Sequence, residues 1–184
     1  HALAAAPDGG IYVGTSPDGK IYKVDRSGSA TTFFEPGEKY IWSLATDAKG
    51  NLFAATGEKG VIYRIGPDGK GAKFYEAKAT HATSLAFDKT GNLLVGTESP
   101  ARVLRVDPQG KAFVLLDSPF QGVRALHFDD KGALSVAALS GRGTSVAPPR
   151  IEPVSPPGSP EPPGTPVVSV STEITAIAVP DLPS

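Results

Sequence analysis

The sequence predicts an all-β protein that is built from repeated four-stranded antiparallel sheets. Three observations lead to this prediction. Apolar residues and glycines recur every 41 residues without drift in the spacing. Each repeat unit divides into four short strand patterns that Gly, Pro, Asp and Lys separate. Finally, no segment keeps a helical period over the roughly ten residues that a helix requires.

The 41-residue repeat is carried by residues of three kinds. They are the leucines Leu3, Leu44, Leu85 and Leu126, the glycines Gly9, Gly50, Gly91 and Gly132, and the threonines Thr15, Thr56 and Thr97. A fixed period of this length is typical of arrays in which each unit needs its neighbours to bury its apolar surface. The chain is therefore expected to stack copies of one supersecondary unit.

The second unit shows the four strands most clearly. They are predicted at residues 41–46, 51–56, 61–65 and 72–77, where β-branched and aromatic residues concentrate. The intervening segments "AKGN", "GEKG" and "PDGK" have the composition of tight turns, in which glycine supplies a positive φ. Four short antiparallel strands in about 40 residues indicate one blade of a β-propeller.

The regular pattern ends within the fourth unit. Residues 1–146 are predicted to form three complete or nearly complete blades and half of a fourth. Residues 147–166 hold nine prolines. Proline lacks the N–H group that a central strand donates, so this segment is predicted to be a Pro-rich insertion. In residues 167–184, "EITAIAVPD" resembles "YIWSLATDA" of the second unit, which predicts the first strand of a further blade with Ile177 at the leucine position.

About three and a half blades form an incomplete ring, because closed propellers contain about four to eight blades. The sequence therefore predicts either a part of a larger propeller or self-assembly of two copies that completes the ring. The chain also begins in the middle of the pattern and without methionine. This beginning predicts a processed chain or a piece of a longer protein.

Composition excludes several classes of function. The net charge of −1, with basic residues scattered along the chain, gives no electrostatic basis for binding nucleic acid. The absence of cysteine excludes disulfides, thiolate metal sites and cysteine nucleophiles. No apolar run approaches the roughly 20 residues of a membrane-spanning helix.

Functional residues are expected where the repeat is broken rather than where it is kept. Asp47, Asp88 and Asp129 recur after each first strand and are predicted to accept turn N–H groups. Lys23, Arg64 and Arg105 recur on third strands. We interpret them as basic groups that reach solvent over apolar stems rather than as an anion site. Neither set is predicted to be functional.

The positions that break the repeat lie in loops that propeller topology places on one face of the disc. Trp42, Thr83 and Arg124 occupy one repeat position with three different chemistries. Aromatic, cationic and acidic groups on a rigid face suit a polar ligand or a peptide. Ordinary surface variation is the alternative explanation. The predicted ligand-binding face consists of Tyr40, Trp42, Glu58, His81, Glu98, Arg124 and His127.

His127 also lies on a predicted innermost strand. It replaces the alanine that the second and third units carry at this position. Innermost strands line the central channel of a propeller, where an imidazole could meet a ligand. A packed or solvated histidine is the alternative.

The segment "IWSLATDAKGNLFAATGEKGVIYRIGPDGK" carries a family resemblance. It resembles the NHL, streptogramin-lyase-like and two-component-regulator sensor propellers of bacteria, and the resemblance covers residues 1 to 138. It implies a ligand-sensing or interaction platform, commonly periplasmic or extracellular. Regulator propellers usually carry Trp in the second strand, where this chain has Tyr12, Phe53 and Leu94.

Three functional hypotheses follow. The first is a non-catalytic propeller module that binds a protein or a small polar ligand without a cofactor. The second is a propeller lyase or lactonase that holds a divalent cation such as calcium in the central channel, with Glu58, Glu98 and His127 as candidate ligands. The third is a role for the Pro-rich insertion as a tether or interaction segment.

Overall fold

The computed structural model describes residues 2–140 and the backbone of residues 176–179. Fifteen strands are present in the described residues. In chain order they are β1 (Ala2–Ala5), β2 (Ile11–Gly14), β3 (Ile21–Val24), β4 (Ala30–Phe34), β5 (Ile41–Thr46), β6 (Leu52–Thr56), β7 (Val61–Ile65), β8 (Gly71–Glu76), β9 (His81–Phe87), β10 (Leu93–Glu98), β11 (Arg102–Val106), β12 (Ala112–Asp117), β13 (Gly122–Phe128), β14 (Leu134–Leu139) and β15 (Ala176–Val179). None of the described segments is a helix that could cross a bilayer.

The strands pair in the order in which they follow one another along the chain. Strands β1–β4, β5–β8 and β9–β12 form three four-stranded antiparallel sheets, which we call the first, second and third blades. Strands β13 and β14 pair in the same way and begin the fourth blade. Glu98 of β10 also pairs with Gly122 of β13, which joins the third and fourth blades. The predicted all-β fold of four-stranded propeller blades in an incomplete ring is confirmed.

The segment predicted to open a further blade is placed differently in the structure. Strand β15 pairs antiparallel with β14, with Ile177 opposite Val136, and so takes the third-strand position of the fourth blade. An antiparallel partner satisfies the ladder groups that the edge of β14 would otherwise leave unpaired. The predicted Pro-rich insertion at 147–166 lies outside the described residues.

Recurring aspartates close the turn between the first and second strand of the second, third and fourth blades. In the second blade Asp47 Oδ1 accepts the N–H groups of Lys49 at 2.9 Å and Asn51 at 2.8 Å. Asp88 accepts the equivalent bonds in the third blade, and Asp129 Oδ1 accepts the N–H of Ala133 at 2.8 Å. Burial raises the pKa of Asp88, but the hydrogen bonds from Asn92 and Thr90 and the charge of Arg105 lower it overall. The structural role predicted for these aspartates is confirmed.

Recurring threonines fix the loop between the second and third strands at the opposite end of the first three blades. The Oγ1 of Thr56 donates to the carbonyl of Val61 at 2.8 Å, and Thr15 makes the same bond to Lys20 at 3.1 Å. Inside these loops Glu58 and Ser99 occupy equivalent positions with φ of 65° and 52°. Because the threonine anchors each loop, its remaining side chains are held on the rim of the blades.

Each interface between neighbouring blades contains one apolar cluster. Leu52, Leu93 and Leu134 occupy one repeat position and are 0%, 1% and 3% exposed, because the preceding blade covers them. Ile11, the equivalent residue of the first blade, is 43% exposed. Stacking on a neighbour, rather than the blade itself, therefore buries this position.

Both ends of the array expose apolar side chains. The first blade exposes Leu3 and Ile11. On the fourth blade, the exposed Ser135 stands where Tyr12, Phe53 and Leu94 are buried in the preceding three, and Leu139 of the same strand is 43% exposed. The first blade thus presents a surface that has the apolar character of a stacking face.

We expect Leu52→Ala to lower the free energy of unfolding by about 2–5 kcal/mol, because it empties a fully buried site between two blades. Ile11→Ala is the matched control at the same repeat position, and we expect it to cost clearly less because the first blade leaves this residue uncovered. Urea unfolding monitored by circular dichroism measures both. Equal losses would contradict burial between blades as the source of stability.

Candidate functional site

Three aromatic side chains from the second and third blades meet on the upper rim, which we define as the edge where first strands begin and second strands end. The rings of Tyr40 and Trp42 are stacked, with their centroids 5.5 Å apart. The imidazole of His81 meets the Trp42 ring edge-on at 5.4 Å. Trp42 is 40% exposed, although most large apolar side chains of the blades are buried. We call these three residues the aromatic cluster.

Gly57 forms the floor of the aromatic cluster. Its N–H donates to the carbonyl of Tyr40 at 3.1 Å. A Cβ atom at this position would lie 3.0 Å from both Trp42 Nε1 and Tyr40 Cδ2, and 3.1 Å from His81 Nδ1. The three rings therefore converge on a position where any larger residue would have to push at least one of them aside.

Glu58 connects the aromatic cluster to charged groups. Its backbone N–H donates to His81 Nδ1 at 3.4 Å, and its carboxylate pairs with Lys39 Nζ at 3.3 Å. A neutral imidazole that accepts a hydrogen bond at Nδ1 carries its proton on Nε2. His81 can therefore donate from Nε2 to a ligand at this rim.

An ion pair occupies the equivalent place between the third and fourth blades. Arg124 Nη1 lies 2.8 Å from Glu98 Oε2, and the Glu98 side chain is only 17% exposed. Glu98 faces Gly122 in one ladder and His81 in the other. Glu98 is thus the residue that connects the ion pair to the aromatic cluster.

At two matched repeat positions, the interface between the second and third blades has a small residue where the interface between the third and fourth blades has a large one, and the reverse. Gly57 and Glu98 are equivalent in the repeat, and so are His81 and Gly122. A Cβ atom on Gly122 would lie 3.1 Å from Glu98 Cγ, so glycine here makes room for the carboxylate just as Gly57 makes room for the rings. The same rim position therefore holds an aromatic cluster at one interface and an ion pair at the next.

The structure thus brings together six of the seven predicted residues and places His127 elsewhere. Leu126 and Phe128 pack against the cluster between the third and fourth blades. Because side chains alternate along a strand, His127 lies on the opposite, exposed face of β13. Sequence reasoning missed Lys39, Gly57 and Gly122. The aligned repeats contain a signal for this site, because Gly57 aligns with Glu98 and Gly122 aligns with His81.

The candidate ligands for a divalent cation do not converge in the described residues. Glu58 is paired with Lys39, Glu98 is paired with Arg124, and His127 lies on the far face of the fourth blade. No group of three or more His, Asp or Glu side chains within residues 2–140 has a metal-binding arrangement. These three residues therefore do not fit a shared cation site.

No protein-family model matches the sequence, and no curated protein matches it at a significant level. Many solved structures share the fold. Virginiamycin B lyase from Staphylococcus aureus is 14% identical, with a TM-score of 0.64 over 78% of this chain and 53% of that one. A nidogen/laminin complex contains a chain that is 16% identical, with a TM-score of 0.66 over 74% of this chain and 56% of that one.

The extracellular domain of a putative hybrid two-component system from Bacteroides thetaiotaomicron is 17% identical. Its TM-score is 0.59 over 77% of this chain and 21% of that one. The chain spans about half the length of the first two structures, and all three share its β-propeller fold. At these identities the likeness establishes the fold.

We expect Gly57→Ala to change the fluorescence of Trp42, the only tryptophan of the chain, because the added methyl group must displace at least one ring of the aromatic cluster. Gly122→Ala is the matched control, since it crowds Glu98 at the equivalent position of the next interface. The emission spectra of both variants are compared with that of the unmodified chain. An unchanged spectrum for Gly57→Ala would contradict the packing of the three rings around this glycine.

Proposed function

We propose that the chain is a non-catalytic β-propeller binding or sensing module that takes a protein or a small polar ligand on its upper rim. The observation that carries this proposal is the exposed aromatic cluster of Tyr40, Trp42 and His81 beside the Glu98–Arg124 ion pair. All five residues sit on rigid strands or their ends, so a ligand would meet a pre-organised surface.

The chemistry of this rim favours a ligand that has both an apolar group and a polar edge. Tyr40 and Trp42 offer contact area at a low cost in side-chain entropy. His81 Nε2 offers a donor, and Arg124, which is 44% exposed, keeps N–H groups beyond those used by Glu98. A peptide segment or a polar small molecule with a ring satisfies these groups.

The comparisons support a binding role and a place outside the cytoplasm. One similar structure comes from a complex of two proteins, and another is the extracellular domain of a two-component system. We therefore propose that this module acts in the periplasm or outside the cell, as part of a larger protein.

Completion of the ring is part of this proposal. The exposed Leu3 and Ile11 of the first blade favour cover by a further blade, which comes either from a longer polypeptide or from a second copy. The native mass measured by light scattering distinguishes a monomer from a self-assembled ring.

Peptides selected from a displayed random library on the immobilised chain test the binding role. We expect Trp42→Ala to weaken the binding of the selected peptides by about tenfold or more, because a central aromatic contact is lost. Phe113→Ala is the matched control, since Phe113 is 53% exposed on the fourth strand of the third blade. Selected peptides that bind both variants equally well, or a failure to select any, would contradict the proposal.

A second candidate function is a lyase or lactonase that holds a divalent cation such as calcium in the central channel. The similarity to virginiamycin B lyase favours it, and its cation ligands would have to come from residues beyond those described. This function predicts lactone-opening or elimination activity that is lost with a chelator. Activity that survives the chelator would exclude it.

A further inference from the structure

A cleft opens between the second and third blades on the lower rim, which is the end of the strands opposite the aromatic cluster. Two adjoining cavities of about 390 and 460 Å³ share Asn51, Arg64 and Phe74. The larger one lies in the size range of small-molecule sites in proteins. It passes between the aspartate turns and the turns that connect the third and fourth strands.

The floor of this cleft is aromatic. Phe53 packs edge-on against Phe74 and against Phe87, with 5.2 Å between centroids in both pairs. Phe53 is buried, whereas Phe74 and Phe87 are half-buried and line the opening. A flat apolar group would therefore find ring faces and edges on both sides of the interface between blades.

Arg64 stands at the junction of the two cavities and differs from its repeat equivalents. Arg105 pairs with Asp88 at 3.0 Å and is only 12% exposed, and Lys23 pairs with Asp8 at 2.5 Å. Arg64 is exposed, and its Cζ lies 5.6 Å from the centroid of the Phe74 ring. Within residues 2–140, the guanidinium of Arg64 donates no hydrogen bond.

The two carboxylates that line the cleft accept bonds from their own turns, and neither pairs with Arg64. Asp47 accepts bonds from the N–H of Lys49, the N–H of Asn51 and the side chain of Asn51. Asp107 accepts the N–H groups of Gln109 and Lys111. The guanidinium therefore remains a cation with free donors above an aromatic floor.

We propose that this cleft binds a small aromatic carboxylate. The carboxylate accepts paired hydrogen bonds from Arg64, and the ring lies against Phe74 and Phe87. A planar guanidinium matches a carboxylate in a bidentate way that an ammonium group does not. This site is separate from the upper rim and does not depend on the function proposed there.

The test is a titration of the full chain, labelled with ¹⁵N, with 2-naphthoate and with its uncharged analogue 2-naphthamide. We expect 2-naphthoate to shift the Nε–H resonance of Arg64, to show nuclear Overhauser contacts to the Phe74 and Phe87 rings, and to bind at least about tenfold more tightly than the amide. Equal affinity of the two probes, or no binding of 2-naphthoate, would overturn the proposal.

Two substitutions separate the guanidinium from general positive charge. Arg64→Gln is expected to weaken the binding of 2-naphthoate by about tenfold or more. Arg64→Lys is expected to recover only part of this lost affinity. Lys49→Gln removes a cation that lines the same cavity, and we expect little change from it. An equal effect of Lys49→Gln and Arg64→Gln would show that any nearby positive charge accounts for the binding, which would contradict the proposal.

Trp42→Ala shows on which rim the probe binds, because the aromatic cluster lies at the other end of the blades from the cleft. We expect this variant to bind 2-naphthoate as the unmodified chain does. A loss of 2-naphthoate binding in Trp42→Ala would place the probe on the upper rim and overturn the lower site. If Arg64→Gln does not fold, the Nε–H shift in the unmodified chain and the Arg64→Lys variant still decide the question.

Discussion

The structure depends on one constraint, which is that a four-stranded blade has two apolar faces and cannot bury either one by itself. Each of the three apolar clusters spans an interface between neighbouring blades. The same repeat position is buried in Leu52 and Leu93 but exposed in Ile11, which none of the described blades covers. Since stacking fixes the strands, the residues on the two rims can change without disturbing the fold.

The rims use this freedom in a specific way. On the upper rim, Gly57 makes room for three rings at one interface, and Gly122 makes room for the Glu98–Arg124 pair at the next. On the lower rim, Arg105 is neutralised within its own blade while Arg64 stays exposed beside a cleft. A repeat scaffold can thus carry different ligand chemistry at equivalent places, because the structural residues of each unit are satisfied locally.

Much of this architecture could be predicted from the sequence, because it follows from local chemistry. Strand composition and turn glycines located the blades, and the recurrence of Asp47 and Asp88 correctly indicated turn acceptors. The pairing of β15 with β14 could not be predicted, since it depends on which ladder edge is free. Arg64 and Arg105 are alike in sequence, and only their surroundings show that one is paired and the other is open.

The central claim is that the upper rim between the second and third blades binds a ligand. A fragment library screened against the ¹⁵N-labelled chain tests it most directly, because the only indole N–H of the protein belongs to Trp42. We predict that a subset of the polar fragments with an aromatic ring shifts the indole N–H and the amides of Gly57 and His81 together. Fragments that bind only elsewhere and leave these resonances unmoved would contradict it.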